Sequence, residues 1–201
     1  MTRLMVDLFS GLGGASEAFV NSPKWMVKRF EINPELKGVP GTTIADVMNI
    51  EVDRIQGASL IWASPPCLDF STAYGAPAPT AKREGREFEP DMTLVEKAIA
   101  IIDEVNPQYW VIENVRGAIP VFEDILGKPR QIIHDRWILW GNFPLLCIDP
   151  EWKVDKWHKQ KIFGTEEMAM NRRSIVPLEI STALLEALET QTTISDWQRG
   201  G

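Results

Sequence analysis

Apolar residues along the chain follow two patterns, short continuous runs and spacings of three or four. Short apolar runs that end in polar or glycine-containing turns are typical of buried strands. The predicted strands cover residues 4–9, 25–30, 59–63, 109–112 and 137–140. The helical spacing predicts helices over 15–20, 91–105, 121–126 and 177–188. Because strands alternate with helices, the chain is predicted to form an α/β fold with a doubly wound, mostly parallel sheet.

Polar residues stand where the predicted strands end. The turn Ser10–Gly14 follows the first strand, and its glycines allow a ligand to approach the backbone closely. Glu31 ends the second strand, where doubly wound sheets commonly bind ribose hydroxyls. Cys67 follows two prolines after the strand 59–63, and Glu113 follows the next strand. A thiol on a stiff turn suits a nucleophile, although a buried, inert cysteine fits that segment equally well.

One segment shows neither the strand pattern nor the helix pattern. Residues 72–90 are rich in Gly, Pro, Ala and mixed charge, and we predict a long surface loop beside the Cys67 turn.

Composition limits the class of protein. The 201 residues, 44% of them hydrophobic, suffice for one main domain. With only Cys67 and Cys147, a disulfide framework is not expected, and a reducing compartment would keep Cys67 free. No apolar run of membrane-spanning length and no signal-peptide pattern is present, so we expect a soluble, cytoplasmic protein without a membrane partner.

The charge is unevenly distributed. The net charge of −7 argues against a polyanionic partner, but the segment 128–161 holds seven Lys or Arg against four Asp or Glu. Four of the eight tryptophans lie in the same segment. Interleaved cations and aromatic rings favour a nucleic-acid surface. A core strand followed by a solvated loop is the alternative interpretation.

Three motifs together resemble the DNA cytosine-C5 methyltransferase family. They are Asp7-Leu8-Phe9-Ser10-Gly11-Leu12-Gly13-Gly14, Pro65-Pro66-Cys67 and Glu113-Asn114-Val115, in that order. The segments Arg173–Pro177 and Leu184–Leu188 are similar to the closing helix motif of that family. The resemblance spans residues 4 to 188 and implies the Rossmann-like fold of S-adenosylmethionine-dependent methyltransferases, here with a vestigial target-recognition region.

The resemblance also implies a reaction. The Cys67 thiolate would add to C6 of a cytosine, and C5 would then accept a methyl group from S-adenosylmethionine. Cys67 is therefore expected where its anion is stabilised. Glu113 would hydrogen-bond to N3 and the exocyclic amine of the base. Because a base in double-stranded DNA is stacked, it would have to flip out, with the loop 71–90 closing over it.

The remaining site residues are carried over from the resemblance. The implied cofactor-binding residues are Asp7, Phe9, Ser10, Gly11, Leu12, Gly13, Glu31, Ile32, Asp46 and Pro65. The implied substrate-binding residues are Ser71, Asn114, Arg83 and Arg86, with Arg136 as a further catalytic contact. For Arg83 and Arg86, solvated charges balanced by neighbouring glutamates are the alternative. No metal site is predicted.

The chain departs from the family pattern in two respects. Leu68 follows the cysteine where many members have Gln, and the recognition region is short. We predict a catalytic and cofactor-binding domain over 1–141, a recognition-like insert over 142–170, and a C-terminal helix over 171–201 that returns to the catalytic domain. So small an insert predicts a short recognition sequence, or dependence on a second copy or an accessory protein.

Three functional hypotheses remain open from the sequence. The first is a compact methyltransferase acting on double-stranded DNA, of the kind used in restriction–modification. The second is the same cysteine chemistry on RNA or on a free cytosine nucleotide. The third is a catalytically weak protein that works by binding cofactor or DNA, although the presence of both Cys67 and Glu113 disfavours it.

Overall fold

The computed structural model describes residues 2–153 and 175–190. Its centre is a seven-stranded sheet. The strands are β1 Arg3–Leu8, β2 Trp25–Glu31, β3 Thr42–Ile44, β4 Leu60–Ala63, β5 Tyr109–Asn114, β6 Gln131–Ile133 and β7 Trp137–Asn142. The helices are α1 Glu17–Val20, α2 Pro77–Arg83, α3 Thr93–Val105, α4 Ile119–Leu126 and α5 Leu178–Thr190. The predicted α/β class is confirmed.

The strand order β3-β2-β1-β4-β5-β7-β6 makes the sheet doubly wound. The chain moves outward from β1 to β3 and then returns to place β4 on the other side of β1. The five strands β3, β2, β1, β4 and β5 are parallel to one another, whereas β7 is antiparallel to both β5 and β6. The direction of winding reverses between β1 and β4, and the crevice outside the carboxyl ends of such strands is where open α/β sheets bind ligands.

Both faces of the sheet are buried under helices. Val6 and Leu8 of β1 join one apolar cluster with α3 and α4, while Met5 joins a second cluster with α1 and α5. β4 alternates in the same way, with Ile61 on the first side and Trp62 on the second. This alternation with a period of two fixes which residues point to each layer.

The C-terminal helix α5 packs on α1. The Ser181 hydroxyl donates to the Ala15 carbonyl (2.8 Å) and accepts from the Ala18 N–H (3.1 Å). Among the described helices, none is long and apolar enough to cross a membrane. Residues 154–170 of the proposed insert, together with 171–174 and 191–201, lie outside the described residues, so the domain division stays a prediction.

The prediction of an uninterrupted loop over 72–90 is wrong, because α2 lies within it. Pro77 occupies the first turn of this helix, where a missing N–H costs no hydrogen bond and the fixed φ of proline favours the helical start. Pro79 falls in the same first turn. Prolines that indicate a loop in the sequence therefore begin a helix here.

The turns that follow β4 and β5 pack tightly against each other. Gly117 lies in the 3₁₀ turn Arg116–Ala118, and a Cβ added to it would stand 2.0 Å from the carbonyl oxygen of Phe70. Phe70 ends the 3₁₀ turn Leu68–Phe70, which directly follows Cys67. Only glycine allows these two backbones to approach so closely.

We predict that Gly117→Ala lowers the free energy of unfolding by about 1–3 kcal/mol, because the added methyl group forces the turn after Cys67 away from β5. Chemical denaturation monitored by circular dichroism measures the change. Gly75→Ala is the matched control, since a Cβ at Gly75 meets no atom within 4 Å. Equal stability of the two variants would contradict this packing.

Candidate active site

Cys67 lies at the end of a rigid connection from β4. The segment Ser64-Pro65-Pro66 leads from the strand to the cysteine, which is half-buried. The Phe70 N–H donates to the Cys67 carbonyl (3.1 Å), and this bond closes the following 3₁₀ turn. The Phe70 ring packs edge-on against the buried Phe122 ring at 5.0 Å. The position of the sulfur is thus fixed by the core beneath it.

The carboxyl end of β5 brings a carboxylate beside this turn. Glu113 and Asn114 are both buried, at 9% and 1% exposure. The Asn114 side chain donates from Nδ2 to the Pro65 carbonyl (3.1 Å) and accepts at Oδ1 from the Val115 N–H (2.9 Å). Asn114 therefore joins the end of β5 to the turn that carries Cys67. Its contact with a substrate stays a prediction.

Burial makes the Glu113 carboxyl a weaker acid than an ordinary glutamate. It raises the pKa of the Glu113 carboxyl to about 7, although a hydrogen bond with Ser64 opposes the shift. The Ser64 hydroxyl also accepts from the indole N–H of the buried Trp62 (2.8 Å), which holds it in place. At neutral pH Glu113 is consequently protonated in a substantial fraction of molecules.

Cys67 experiences the same surroundings. Burial, and then the negative charge of Glu113, raise the pKa of its thiol above the ordinary value of 9.0. The expectation that the free protein stabilises the thiolate is therefore wrong. The ionisation of Cys67 and that of Glu113 oppose each other, because two adjacent negative charges repel in a poorly solvated site.

The turn after β1 has the backbone geometry of a ligand-binding loop. Phe9, Gly11 and Gly13 all have positive φ, at 59°, 52° and 79°. The Gly11 N–H donates to Glu31 Oε2 (2.8 Å), and the Asn33 N–H donates to Glu31 Oε1 (2.9 Å). The carboxylate at the end of β2 is thereby held next to the glycine turn.

The residues of this turn fit a polar cofactor such as S-adenosylmethionine. The buried Ser10 hydroxyl has no hydrogen-bond partner among the described residues, so a polar group of a ligand would satisfy it. A Cβ placed on Gly11 would meet no atom within 4 Å, so the space in front of this backbone is open. The adjacent Glu31 carboxylate is the acceptor for ribose hydroxyls.

The remaining predicted cofactor residues lie along the same edge. Ile32 directly follows Glu31 and is 66% exposed. Asp46 accepts from the Met48 N–H (2.9 Å) and caps the 3₁₀ turn Val47–Asn49, a local role that the sequence did not indicate. Leu12 is half-buried in the glycine turn, and Pro65 is buried in the turn after β4.

A buried polar network beneath the glycine turn was not predicted. The Ser16 hydroxyl donates to Asp7 Oδ2 (2.5 Å) and accepts from Arg29 Nε (2.8 Å). Asp7 is 1% exposed and Arg29 is completely buried. Burial raises the pKa of Asp7 to about 6, although the Ser16 hydrogen bond and the Arg29 charge oppose the shift. The sequence signal was a charged residue at an inward position of β2.

The predicted substrate residues after Cys67 have local partners. The Ser71 hydroxyl accepts from the Ala73 N–H (3.2 Å). The Arg83 guanidinium lies 3.9 Å above the Tyr74 ring. Arg86 is paired with Glu84 (Nε to Oε2, 2.9 Å), as the alternative interpretation of solvated, balanced charges expected. A substrate contact for Arg86 would require this exposed pair to break.

Arg136 lies in the turn between β6 and β7, at the carboxyl edge of the sheet. Its guanidinium is 5.1 Å from the Trp137 ring. The preceding His134 and Asp135 have positive φ, and Asp135 forms an ion pair with Arg116 in the turn after β5. Arg136 therefore shares an edge with Glu113. In the described part of the chain, no group of three His, Cys, Asp or Glu side chains is arranged to hold a metal ion.

The amino-acid sequence is similar to one protein family and to curated relatives. The model for C-5 cytosine-specific DNA methylases matches residues 4–121. The Type II methyltransferase M.MspI of Moraxella sp is 31% identical over 120 residues, covering 57% of this chain and 27% of its own length. The DNA (cytosine-5-)-methyltransferase M.ApeKI of Aeropyrum pernix is 27% identical over 139 residues, covering 57% and 29%.

Solved structures of methyltransferases resemble the fold. Entamoeba histolytica EhMeth has a TM-score of 0.47 at 14% identity, covering 74% of this chain and 55% of that one. S. pombe Dnmt2 has a TM-score of 0.42 at 18% identity, covering 82% and 57%. The chain spans less than a third of the length of the two curated relatives named above. The family match covers more than half of the chain and includes the glycine turn, Cys67 and Glu113. The chain therefore belongs to the C-5 cytosine-specific DNA methylase family.

Proposed function

We propose that this protein transfers a methyl group from S-adenosylmethionine to C5 of cytosine in double-stranded DNA. The observation that supports this most is the juxtaposition of the Cys67 turn and Glu113 at the ends of adjacent parallel strands, with Asn114 bonded to Pro65 between them. A reducing compartment, the cytoplasm, would keep the thiol available. The family match covers residues 4–121, and we propose on this basis that the protein carries out the complete methyl-transfer reaction.

The glycine turn would bind the cofactor. Ser10 offers an unpartnered hydroxyl, Gly11 an open backbone and Glu31 a fixed carboxylate. The cofactor, when bound there, supplies an electrophilic methyl group. The β1 turn and the β4 turn follow neighbouring parallel strands, so a methyl donor in the first lies beside a base held at the second.

Cys67 would act as the nucleophile toward C6. Its half-exposed thiol loses a proton to water, and the sulfur then forms a bond to C6, which makes C5 electron-rich. C5 takes the methyl group as the S–CH3 bond of the donor breaks, and S-adenosylhomocysteine is released. The C5 proton passes to water, and the C5–C6 double bond re-forms as the C6–S bond breaks. The thiolate is regenerated, and no oxidant is consumed.

Glu113 would assist as a hydrogen-bond donor. As sulfur adds to C6, negative charge develops at N3 and O2 of the ring, and a protonated carboxyl beside N3 stabilises it. Because burial raises the pKa of Glu113 to about 7, this donor is present near neutral pH. A neutral Glu113 also removes the charge that opposes ionisation of Cys67.

The target cytosine would leave the duplex to reach the sulfur. Cys67 is recessed in a turn, and a stacked base presents neither C6 nor N3 to such a site. Two exposed arginines lie beside aromatic rings, Arg136 beside Trp137 and Arg83 beside Tyr74. A cation next to an aromatic ring is suited to contact phosphates and bases. Recognition of a target sequence would involve further elements, a second copy or an accessory protein.

We predict that the wild-type protein transfers tritiated methyl groups to duplex DNA, and that Cys67→Ser lowers the rate by at least about 10³-fold because the hydroxyl is a far weaker nucleophile. Scintillation counting of DNA, RNA and dCMP measures the transfer. The exposed Cys147 gives the matched control, and Cys147→Ser should retain activity.

A DNA duplex containing 5-fluorocytosine tests the covalent step, since the fluorine blocks loss of the C5 substituent. Wild type and Cys147→Ser should form a complex that survives denaturing electrophoresis, whereas Cys67→Ser should not. An adduct with Cys67→Ser would refute the nucleophile. Label in RNA or dCMP alone would refute the DNA substrate, and no transfer to any of them despite bound cofactor would refute the enzyme.

We predict that kcat/KM falls as the pH drops below about 7 and is level between pH 7 and the higher pKa of the thiol. The form competent for catalysis has Glu113 protonated and Cys67 ionised. With one proton shared between the two groups, this form is less populated than the one with ionised Glu113 and a neutral thiol, because the pKa of Glu113 is about 7 and that of Cys67 is raised above 9.0. Below pH 7 both groups hold a proton, and the competent fraction falls tenfold per pH unit.

Glu113→Gln should lose the break near pH 7, because its amide does not titrate: kcat/KM should rise with pH across the whole range below the pKa of the thiol, while the rate falls by about 10²–10⁴-fold. Glu104→Gln, at an exposed position near the end of α3, is the control and should keep the wild-type profile. Stopped assays from pH 5.5 to 9.5 give both profiles. A profile of Glu113→Gln that still breaks near pH 7 and is level above it would exclude Glu113 as the titrating group.

A further inference from the structure

Arg29 is a fully buried cation that joins three segments of the cofactor domain. Its side chain has 0% exposure, and each guanidinium nitrogen has a partner. Nε donates to Ser16 Oγ (2.8 Å), Nη1 to the Pro40 carbonyl (2.8 Å), and Nη2 to the Gly13 carbonyl (2.9 Å) and to Glu17 Oε2 (3.0 Å). A buried charge is costly unless it is satisfied in this way.

The glycine turn rests directly on this guanidinium. A Cβ on Gly13 would stand 2.4 Å from Arg29 Cζ, so the turn and the cation are in van der Waals contact only because residue 13 is glycine. The Pro40 carbonyl belongs to the connection between β2 and β3. Arg29 therefore connects the loop after β1 to the loop after β2, from beneath the edge where the cofactor would lie.

Ser16 carries the influence of Arg29 to Asp7. Asp7 and Arg29 are register partners on β1 and β2, and the Ser16 hydroxyl stands between them, donating to one and accepting from the other. The charge of Arg29 lowers the pKa of Asp7 against the effect of burial. The network favours an ionised Asp7 at the base of the turn.

We propose that Arg29 is the positioning residue of the cofactor site, where it acts through Ser16 and Asp7 to set the shape and the charge of the glycine turn. The inference rests on the proposed function, since it assumes that S-adenosylmethionine binds at this turn. Arg29 does not touch the cofactor. The methionine end of S-adenosylmethionine carries a sulfonium cation, and an ionised Asp7 beneath the turn favours it.

Among the described residues, the charged groups around this network are Asp7 on β1, Glu17 on α1, and Glu31 and Arg29 on β2. In the described part of the segment that packs on Gly14, the contacts come from Ile175 and the Val176 backbone, which do not titrate. As the pH falls through about 6, Asp7 takes a proton and the base of the glycine turn loses the negative charge of that carboxylate.

The test is calorimetric titration of the full chain with S-adenosylmethionine from pH 5 to 8, without DNA. For wild type we expect the affinity to weaken as the pH falls through about 6. Arg29→Met should weaken binding by about 10-fold or more at pH 7.5 and move the midpoint of the pH dependence upward, since the Asp7 pKa rises without the cation. Arg29→Lys keeps the charge and should keep the midpoint near that of wild type.

Two further variants complete the design. Ser16→Ala removes the relay and should also raise the midpoint, and it carries the test if Arg29→Met does not fold. Lys28→Met is the matched control, because Lys28 precedes Arg29 on β2 with its side chain on the opposite face, where it bonds to the Arg54 carbonyl. It should bind as wild type does.

The outcomes separate the two proposals. Wild type that does not bind S-adenosylmethionine would overturn the proposed function, and this inference with it. Wild type that binds, with Arg29→Met and Ser16→Ala sharing its affinity and midpoint, would overturn the role of Arg29 alone. If Arg29→Met and Arg29→Lys both bind S-adenosylmethionine equally weakly at every pH, and the midpoint of the pH dependence does not move, Arg29 has only a structural role. That result would also refute the inference.

Discussion

The parallel register of β1, β4 and β5 is the constraint on which the active site depends. Leu8 is paired with Ala63, and Ala63 with Ile112, so the three strands end at nearly the same level. The glycine turn, the Pro-Pro-Cys turn and the Glu-Asn pair then follow at one edge. A slip of one residue would turn apolar side chains from one buried layer to the other, and both layers are filled. The core therefore sets the spacing of the chemical groups.

The three carboxylates of Asp7, Glu31 and Glu113 are buried, and each accepts a hydrogen bond from the protein. Ser16 serves Asp7, backbone N–H groups serve Glu31, and Ser64 serves Glu113. Such hydrogen bonds are strong in low-dielectric surroundings, but they do not fully offset the free-energy cost of burying a negative charge. The raised pKa values of Asp7 and Glu113 are the consequence of that remaining cost. The site is thus prepared to hold protons near neutral pH.

The same burial imposes a conflict on catalysis. An environment that keeps Glu113 protonated enough to donate to a base also disfavours the Cys67 anion. In the mechanism that we propose, a cytosine between the two groups would relieve the conflict, because N3 would accept a hydrogen bond from protonated Glu113 and the charge of the sulfur would pass into the ring. Reactivity of the thiol would then depend on the presence of the correct base.

Local sequence predicted what depends on neighbouring residues along the chain. The apolar runs and the glycine, proline and acidic residues that end them predicted five of the seven strands and placed Cys67 and Glu113 at strand ends, whereas the three-residue strands β3 and β6 were missed. It missed α2, because Pro77 indicates a loop as readily as a helix start. It missed Arg29, because a cation in a strand is usually exposed, and its partners Ser16 and Pro40 come together only in the folded sheet.

The substrate side of the edge is held by the same sheet. His134 and Asp135 adopt positive φ although neither is glycine, and such strain persists only where the surroundings over-determine it. Here the pairing of β6 with β7, the Arg116–Asp135 ion pair and the stacking of Trp137 on a second tryptophan fix the turn. Arg136 therefore stands on the same rigid frame as Glu113 and Cys67. Under the proposed function, a DNA target would have to be brought to this edge, since Cys67, Glu113 and Arg136 are all anchored to one core.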